Sequence, residues 1–188
     1  MTKAMPPSES PCTRRRNVVL LGFMGTGKTT VGRALARRLK AKFVDMDAVL
    51  ESRAGKPISR IFAEDGEPAF RAMERALVRE LSRSRGLVIA AGGGVVLNPL
   101  NVRDFRRSGL VVCLSASPEI IYKRTHRQRH RPLLESGDKL RRIVRLLALR
   151  RPFYDAIPHQ IDTSTLSPTA VVRRILALYQ NADAGKCR

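Results

Sequence analysis

The sequence predicts an α/β fold of three layers, α/β/α, with a central parallel sheet of about five strands. Three observations carry that prediction. Short apolar runs alternate with helix-length patterns along most of the chain. Runs such as 17–22, 87–91 and 110–114 are apolar at almost every position, as strands covered on both faces require. The chain has 188 residues, 43% of them hydrophobic, enough to bury one core.

In chain order, the strand 17–22 leads to a helix over 29–39, and a strand over 42–45 leads to several helical turns from 58 to 81. The apolar run 87–91 is followed by a helix over 99–107, and 110–114 by a helix over 118–124. An amphipathic stretch over 140–149, a short strand over 159–162 and a closing helix over 168–179 complete the chain. The alternation reads as right-handed crossovers onto a parallel sheet. Irregular stretches fall at about 52–57 and 125–138, the second long enough to be a mobile, functional loop. One domain over 17–180 is expected, between a flexible basic leader at 1–16 and a tail at 181–188.

Charge and cysteines narrow the function classes. Lys and Arg number 36 against 16 Asp and Glu, a formal charge of +20, and 28 of the basic residues are Arg spread from Arg14 to Arg188. Spread charge is weak evidence for nucleic acid. Between Lys123 and Arg151, however, 11 basic residues face only Glu135 and Asp138, so something anionic is expected to dock there: a polyphosphate, a nucleic-acid backbone, or solvent alone. Cys12, Cys113 and Cys187 are too few and too scattered for a disulfide framework, and Cys113 sits in an apolar run as core packing. No apolar run approaches the roughly 20 residues of a membrane span. The leader has no apolar segment before a cleavage site, and Glu9, Pro6 and Pro7 fit an amphipathic targeting helix badly, so a cytoplasmic protein is expected.

Gly22-Phe-Met-Gly-Thr-Gly27-Lys28-Thr29 matches G-x-x-x-x-G-K-[ST] between a strand and a helix, the context that motif requires. Glycines let successive backbone N–H groups turn inward around phosphate oxygens, and the helix adds its positive end. Lys28 reaches the outer phosphates and Thr29 offers a hydroxyl to Mg²⁺. A nucleoside triphosphate site follows, with Gly25, Thr26, Gly27, Lys28, Thr29 and Thr30 around the phosphates.

Further motifs follow in order. They are Asp45-Met-Asp47 after the second strand, Ile61-Phe-Ala-Glu-Asp-Gly-Glu-Pro-Ala-Phe-Arg71 leading to Glu74, and Gly92-Gly93-Gly94 after the third strand, then Arg131-Pro-Leu-Leu134 and Arg150-Arg-Pro-Phe-Tyr154. With these the chain, from about 17 to 179, resembles the shikimate kinases, enzymes that move the γ-phosphate of ATP to the 3-hydroxyl of shikimate on the route to chorismate and the aromatic amino acids. The resemblance implies a P-loop kinase fold with a mobile lid at about 125–138, a substrate-binding segment at about 45–82, ATP and Mg²⁺ as requirements, and a monomer with no membrane or nucleic-acid partner.

Each motif also has its own chemistry. Asp45 and Asp47 stand two apart, so a strand continuing to Asp47 points both toward the crevice, although either could instead cap a helix beginning near Ala48. The resemblance implies that Asp47 binds the shikimate hydroxyls and orients or deprotonates the attacking one, while Asp45 supports Mg²⁺. A carboxylated acceptor calls for forked cations, which Arg71 and Arg150 supply, and Glu74, three residues after Arg71 on a helix, holds its guanidinium. Triple glycine bares the backbone, and the resemblance makes Gly93 and Gly94 contacts to the shikimate ring substituents. It also gives Arg131 the transferred phosphoryl group, and Arg124 and Pro168 the adenine. His126, Arg127, Arg129 and His130 are extra charge or polarity in the same loop. Where some relatives carry Ser near the end of the third strand this chain has Ala90, which leaves Mg²⁺ support to Thr29 and Asp45. Two other readings remain: a gluconate or nucleoside monophosphate kinase, and a catalytically silent relative of the family that binds nucleic acid.

Overall fold

A computed structural model describes residues 16–125 and 138–184; the leader, most of the 125–138 loop with Arg131 and its neighbours, and the last four residues lie outside the described residues. Five strands, β1 (Asn17–Leu21), β2 (Lys42–Asp45), β3 (Leu87–Ala90), β4 (Gly109–Ser115) and β5 (His159–Asp162), form one sheet in the order β2-β3-β1-β4-β5. Every pairing is parallel, as the apolar runs predict. Because β1 is central and the chain returns to its other side at β4, the sheet's switch point lies at the carboxyl end of β1. Ligands of open α/β sheets bind in that crevice.

Alternation along β1 divides the core. Val19 and Leu21 face one side with Ile89, Val111 and Cys113, beneath α4 (Gly66–Arg83), whose Leu77, Val78 and Leu81 are buried, and α5 (Pro99–Ser108), which contributes Phe105. Val18 and Leu20 face the other side with Val88, Val112 and Leu114, against Val31 and Leu35 of α1 (Lys28–Leu39) and Val171 and Ile175 of α8 (Pro168–Ala184). Helices α2 (Met46–Ala54) and α3 (Ile58–Glu64) extend the first layer beside α4, while α6 (Pro118–Thr125) and α7 (Lys139–Asp155) pack together. Cys113 is buried, as core packing requires, and burial pushes its thiol up to about 12.

Four boundaries differ from expectation. The strand β2 covers 42–45 as expected, but α2 begins at Met46 rather than near Ala48, so no strand continues to Asp47. Residues 52–54, expected to be irregular, belong to α2, which ends at left-handed Gly55 with φ of 66°. Helix α7 runs past 149 to Asp155 and passes through Pro152, because Tyr154 and Ile157 behind it are buried and hold the last turn on the core. Helix α8 continues to Ala184, beyond the boundary expected at 180.

Asn17, fully buried at the start of β1, fastens two elements to the sheet. Its Nδ2 donates to the Leu81 and Ser84 carbonyls at 3.3 and 2.9 Å, and its Oδ1 accepts from the Leu87 N–H at 3.0 Å. Asn17→Leu removes all three bonds and leaves the part-buried Leu87 N–H without its acceptor, which should cost about 2–4 kcal/mol. Thermal unfolding should show a fall in Tm of about 5–15 °C.

Candidate active site

The turn after β1 is shaped by three left-handed glycines, Gly22, Gly25 and Gly27, with φ of 135°, 78° and 93°. At Gly22 a side chain is also sterically impossible, since a Cβ would occupy the Leu114 carbonyl oxygen. The chain therefore doubles back over the strand end and enters α1 at Gly27 with no side chain capping the helix. Uncapped first-turn amides and the positive helix end form an anion cradle. Lys28 lies over it, its ammonium donating to the Gly22 and Phe23 carbonyls, both at 2.9 Å. The buried Thr26 hydroxyl closes the loop on the Phe23 carbonyl at 2.8 Å.

This cradle opens into a cavity of about 710 Å³. Gly25, Thr26, Gly27, Lys28, Thr29 and Thr30 line it, with Asp45, Asp47, Ala90, Gly93, Arg124 and Pro168, so most of the residues expected from the sequence share one space. Thr29 donates its hydroxyl to Asp45 Oδ2 at 2.8 Å, so Asp45 does not cap α2 with its side chain. An oxygen pair of this kind, a hydroxyl and a carboxylate, fits a hard divalent cation. Ala90 pairs in register with Asp45 and adds no oxygen there. At the far side, Leu166, Pro168 and Val171 form an apolar wall beside Arg124.

The acceptor side is assembled from α2, α4, α7 and the triple-glycine turn. Asp47 stands in the first turn of α2, and a Cβ on Gly92 would lie only 2.7 Å from its Oδ1 and 3.3 Å from Glu74 Oε1. Two carboxylates thus converge over a glycine that must lack a side chain. Gly94 makes the same room for the Arg71 guanidinium, and Gly93 faces Arg150. Arg71 donates to Glu74 Oε2 at 3.0 Å and, through Nε and a terminal nitrogen, to Glu67 Oε1 at 3.1 and 2.9 Å. Glu74 is 2% exposed, and burial pushes its carboxyl above the usual range against the pull of Arg71, with Asp47 adding to the rise. Arg150 lies 5.8 Å over the Phe23 ring and reaches the Gly93 carbonyl at 3.5 Å. Arg71, Gly94 and Arg150 border the cavity rather than line it.

Comparison with known proteins places the chain in a family. The family model described as Shikimate kinase matches residues 24–180. The chain belongs to the shikimate kinase family. It is 47% identical over 161 residues to a shikimate kinase of Pelotomaculum thermopropionicum, covering 86% of this chain and 94% of that one. To a shikimate kinase of Desulforudis audaxviator it is 50% identical over 161 residues, 86% of this chain and 85% of the relative. Among solved structures, the shikimate kinase from Acinetobacter baumannii in complex with shikimate superposes with a TM-score of 0.85 at 35% identity, over 89% of this chain and 94% of that one.

Around this cavity, sequence reasoning missed Thr163 and Glu67. The buried Thr163 hydroxyl lies 3.0 Å from the Thr26 carbonyl and 2.9 Å from that of Ser115. It also accepts from Arg124 at 3.1 Å, while the Thr163 carbonyl accepts from the same guanidinium at 2.8 Å. Arg124 further donates to the Gly25 carbonyl at 3.2 Å, so it is tied to the phosphate loop itself. The signal for Thr163 was its place just after β5, at the carboxyl edge of the sheet; for Glu67 it was the four-residue spacing to Arg71. Arg131 lies outside the described residues.

Because burial raises Glu74 above its ordinary value of 4.5, the folded chain holds that proton more tightly than the unfolded chain does. Glu74 therefore stabilises most at acid pH, and its contribution falls as pH rises from the ordinary carboxyl range through the folded value. Glu74→Gln removes this slope: urea unfolding of both proteins across that range should show the wild type losing ground to the variant as pH rises.

Proposed function

We propose that the chain transfers the γ-phosphate of ATP to the 3-hydroxyl of shikimate, with the site residues acting as follows. The observation that carries this reading is a cavity lined by both a phosphate cradle and Asp47, with Arg71 and Arg150 bordering it at the triple-glycine turn. The amides of the loop and Lys28 bind the polyphosphate, while Arg124 and the apolar wall at Pro168 hold the base. Thr29 and Asp45 fit Mg²⁺, which when bound neutralises charge on the phosphate oxygens. Arg71 and Arg150 take the acceptor's carboxylate, and Gly93 and Gly94 lie along its ring. Asp47, at the positive end of α2, orients the attacking hydroxyl and accepts its proton. Arg131 belongs to the same reading as a cation for the transferred phosphoryl group. Phosphoryl transfer needs positioning and charge more than covalent help, which a one-domain scaffold supplies. A cytoplasmic monomer that binds no nucleic acid accords with this reading; among the described residues no helix is long and apolar enough to cross a membrane.

A nucleoside monophosphate acceptor, a dianion with a base, fits the same cradle but not two guanidiniums beside Asp47, which suit a carboxylated alcohol; gluconate, also carboxylated, is separated by assay. ADP release with shikimate, gluconate, AMP and CMP tests this directly: turnover with shikimate is expected, and turnover with a nucleotide acceptor alone would remove the assignment. Steep salt-dependent DNA binding with no ADP release would favour the catalytically silent alternative. Lys28→Ala should lower kcat/KM by about 100-fold or more, as removal of a group facing developing negative charge does. Arg150→Ala should raise the KM for shikimate and leave ATP affinity little changed; loss of ATP binding instead would place Arg150 in the other half of the site.

A further inference from the structure

We propose that Tyr154 is a positioning residue for the acceptor, its hydroxyl fixing the direction in which the triple-glycine turn presents its amides. This rests on the reading of the cavity as a shikimate site. Tyr154 is almost fully buried at the end of α7 and donates its hydroxyl to the Gly93 carbonyl at 2.7 Å. The same oxygen is the one that Arg150, a turn earlier on α7, reaches at 3.5 Å. One carbonyl thus joins the strand end that lines the cavity to the helix that carries an acceptor cation.

The turn has little else to hold it. Among the described residues no acceptor meets the N–H groups of Gly92, Gly93 or Gly94, and three successive glycines leave the backbone wide conformational freedom. Carbonyl contacts fix its flanks, with the Val95 N–H on the Gly92 carbonyl at 3.2 Å and the Leu97 N–H on the Gly94 carbonyl at 3.0 Å. The middle carbonyl depends on Tyr154. In a trans peptide the next residue's N–H points opposite to the carbonyl, so drawing the Gly93 oxygen toward α7 sends the Gly94 N–H away from it. Burial pushes the phenol up to about 12, so it stays protonated and keeps donating at neutral pH.

A buried tyrosine that merely satisfies its hydroxyl predicts a loss of stability on Tyr154→Phe and nothing more. Positioning predicts a split in kinetics: KM for shikimate about tenfold higher, kcat within about threefold of wild type, and KM for ATP within about twofold. In an Arg150→Lys background the added effect of Tyr154→Phe on shikimate KM should be smaller than in the wild type, because both side chains act at Gly93. A shikimate KM that does not move, KM values for shikimate and ATP that rise together, or strictly additive effects with Arg150→Lys would each overturn the proposal. Wild-type protein that fails to phosphorylate shikimate would instead overturn the functional reading and take this inference with it. Wild-type turnover with an unmoved KM in the variant overturns the positioning role alone.

Discussion

The site depends on one steric constraint: at Gly22 the backbone crosses the end of the central strand where the Leu114 carbonyl leaves no space for a Cβ, at a φ that disfavours any L side chain. From that crossing the loop direction, the entry into α1 and the placement of Lys28 and Thr29 all follow. Thr26 and Thr163 then lock the loop to β4 and β5, since the Thr163 hydroxyl lies within hydrogen-bond reach of carbonyls on both sides of the crevice. A preformed cradle needs no reorganisation when charge develops on a phosphoryl group, which is the condition for electrostatic catalysis.

The acceptor half is built by a different principle, the removal of side chains from the turn. Gly92 makes room for Asp47 and Glu74, and Gly94 for Arg71, so charged groups from two helices meet against bare backbone. Bringing two carboxylates together under cover raises the cost of their charge, and Arg71 offsets part of it. The glycine run therefore has two roles, exposing amides and housing the charges around them.

Much of this was legible in the sequence, and the exceptions have physical causes. The apolar runs made β1, β3 and β4 legible because parallel, doubly covered strands have no polar face to blur the pattern, whereas the part-exposed edge strands β2 and β5 were legible only from their places between helices. The phosphate loop was legible because its glycines answer to local backbone geometry. The start of α2 was not: Asp45 and Asp47 share a period-two spacing that a strand would use, but α2 begins at Met46 and the two carboxylates reach the cavity from different elements. The extension of α7 was hidden by Pro152, whose cost in a helix is outweighed by the burial of Tyr154 and Ile157. Thr163 and the hydroxyl contact of Tyr154 depend on side chains meeting across 137 and 61 residues, a separation that carries no local signal.

The two acceptor arginines are not equivalent, and this bears on how a chain of formal charge +20 directs its charge. Arg71 is neutralised by Glu67 and Glu74, so it offers an anionic ligand a rigid set of donors more than a net charge. Arg150 makes no ion pair among the described residues and rests on the Phe23 ring and a carbonyl. A cation supported by a ring face and a dipole keeps its charge available to a ligand, at a desolvation cost that the ring reduces. In the proposed acceptor site, attraction of a carboxylate would therefore fall mainly to Arg150, and its orientation to Arg71. Arg150 meets both the phosphate loop through Phe23 and the glycine turn through Gly93, so one guanidinium bridges the two halves of the site, which also pack directly where Gly93 abuts Gly22 and Met24.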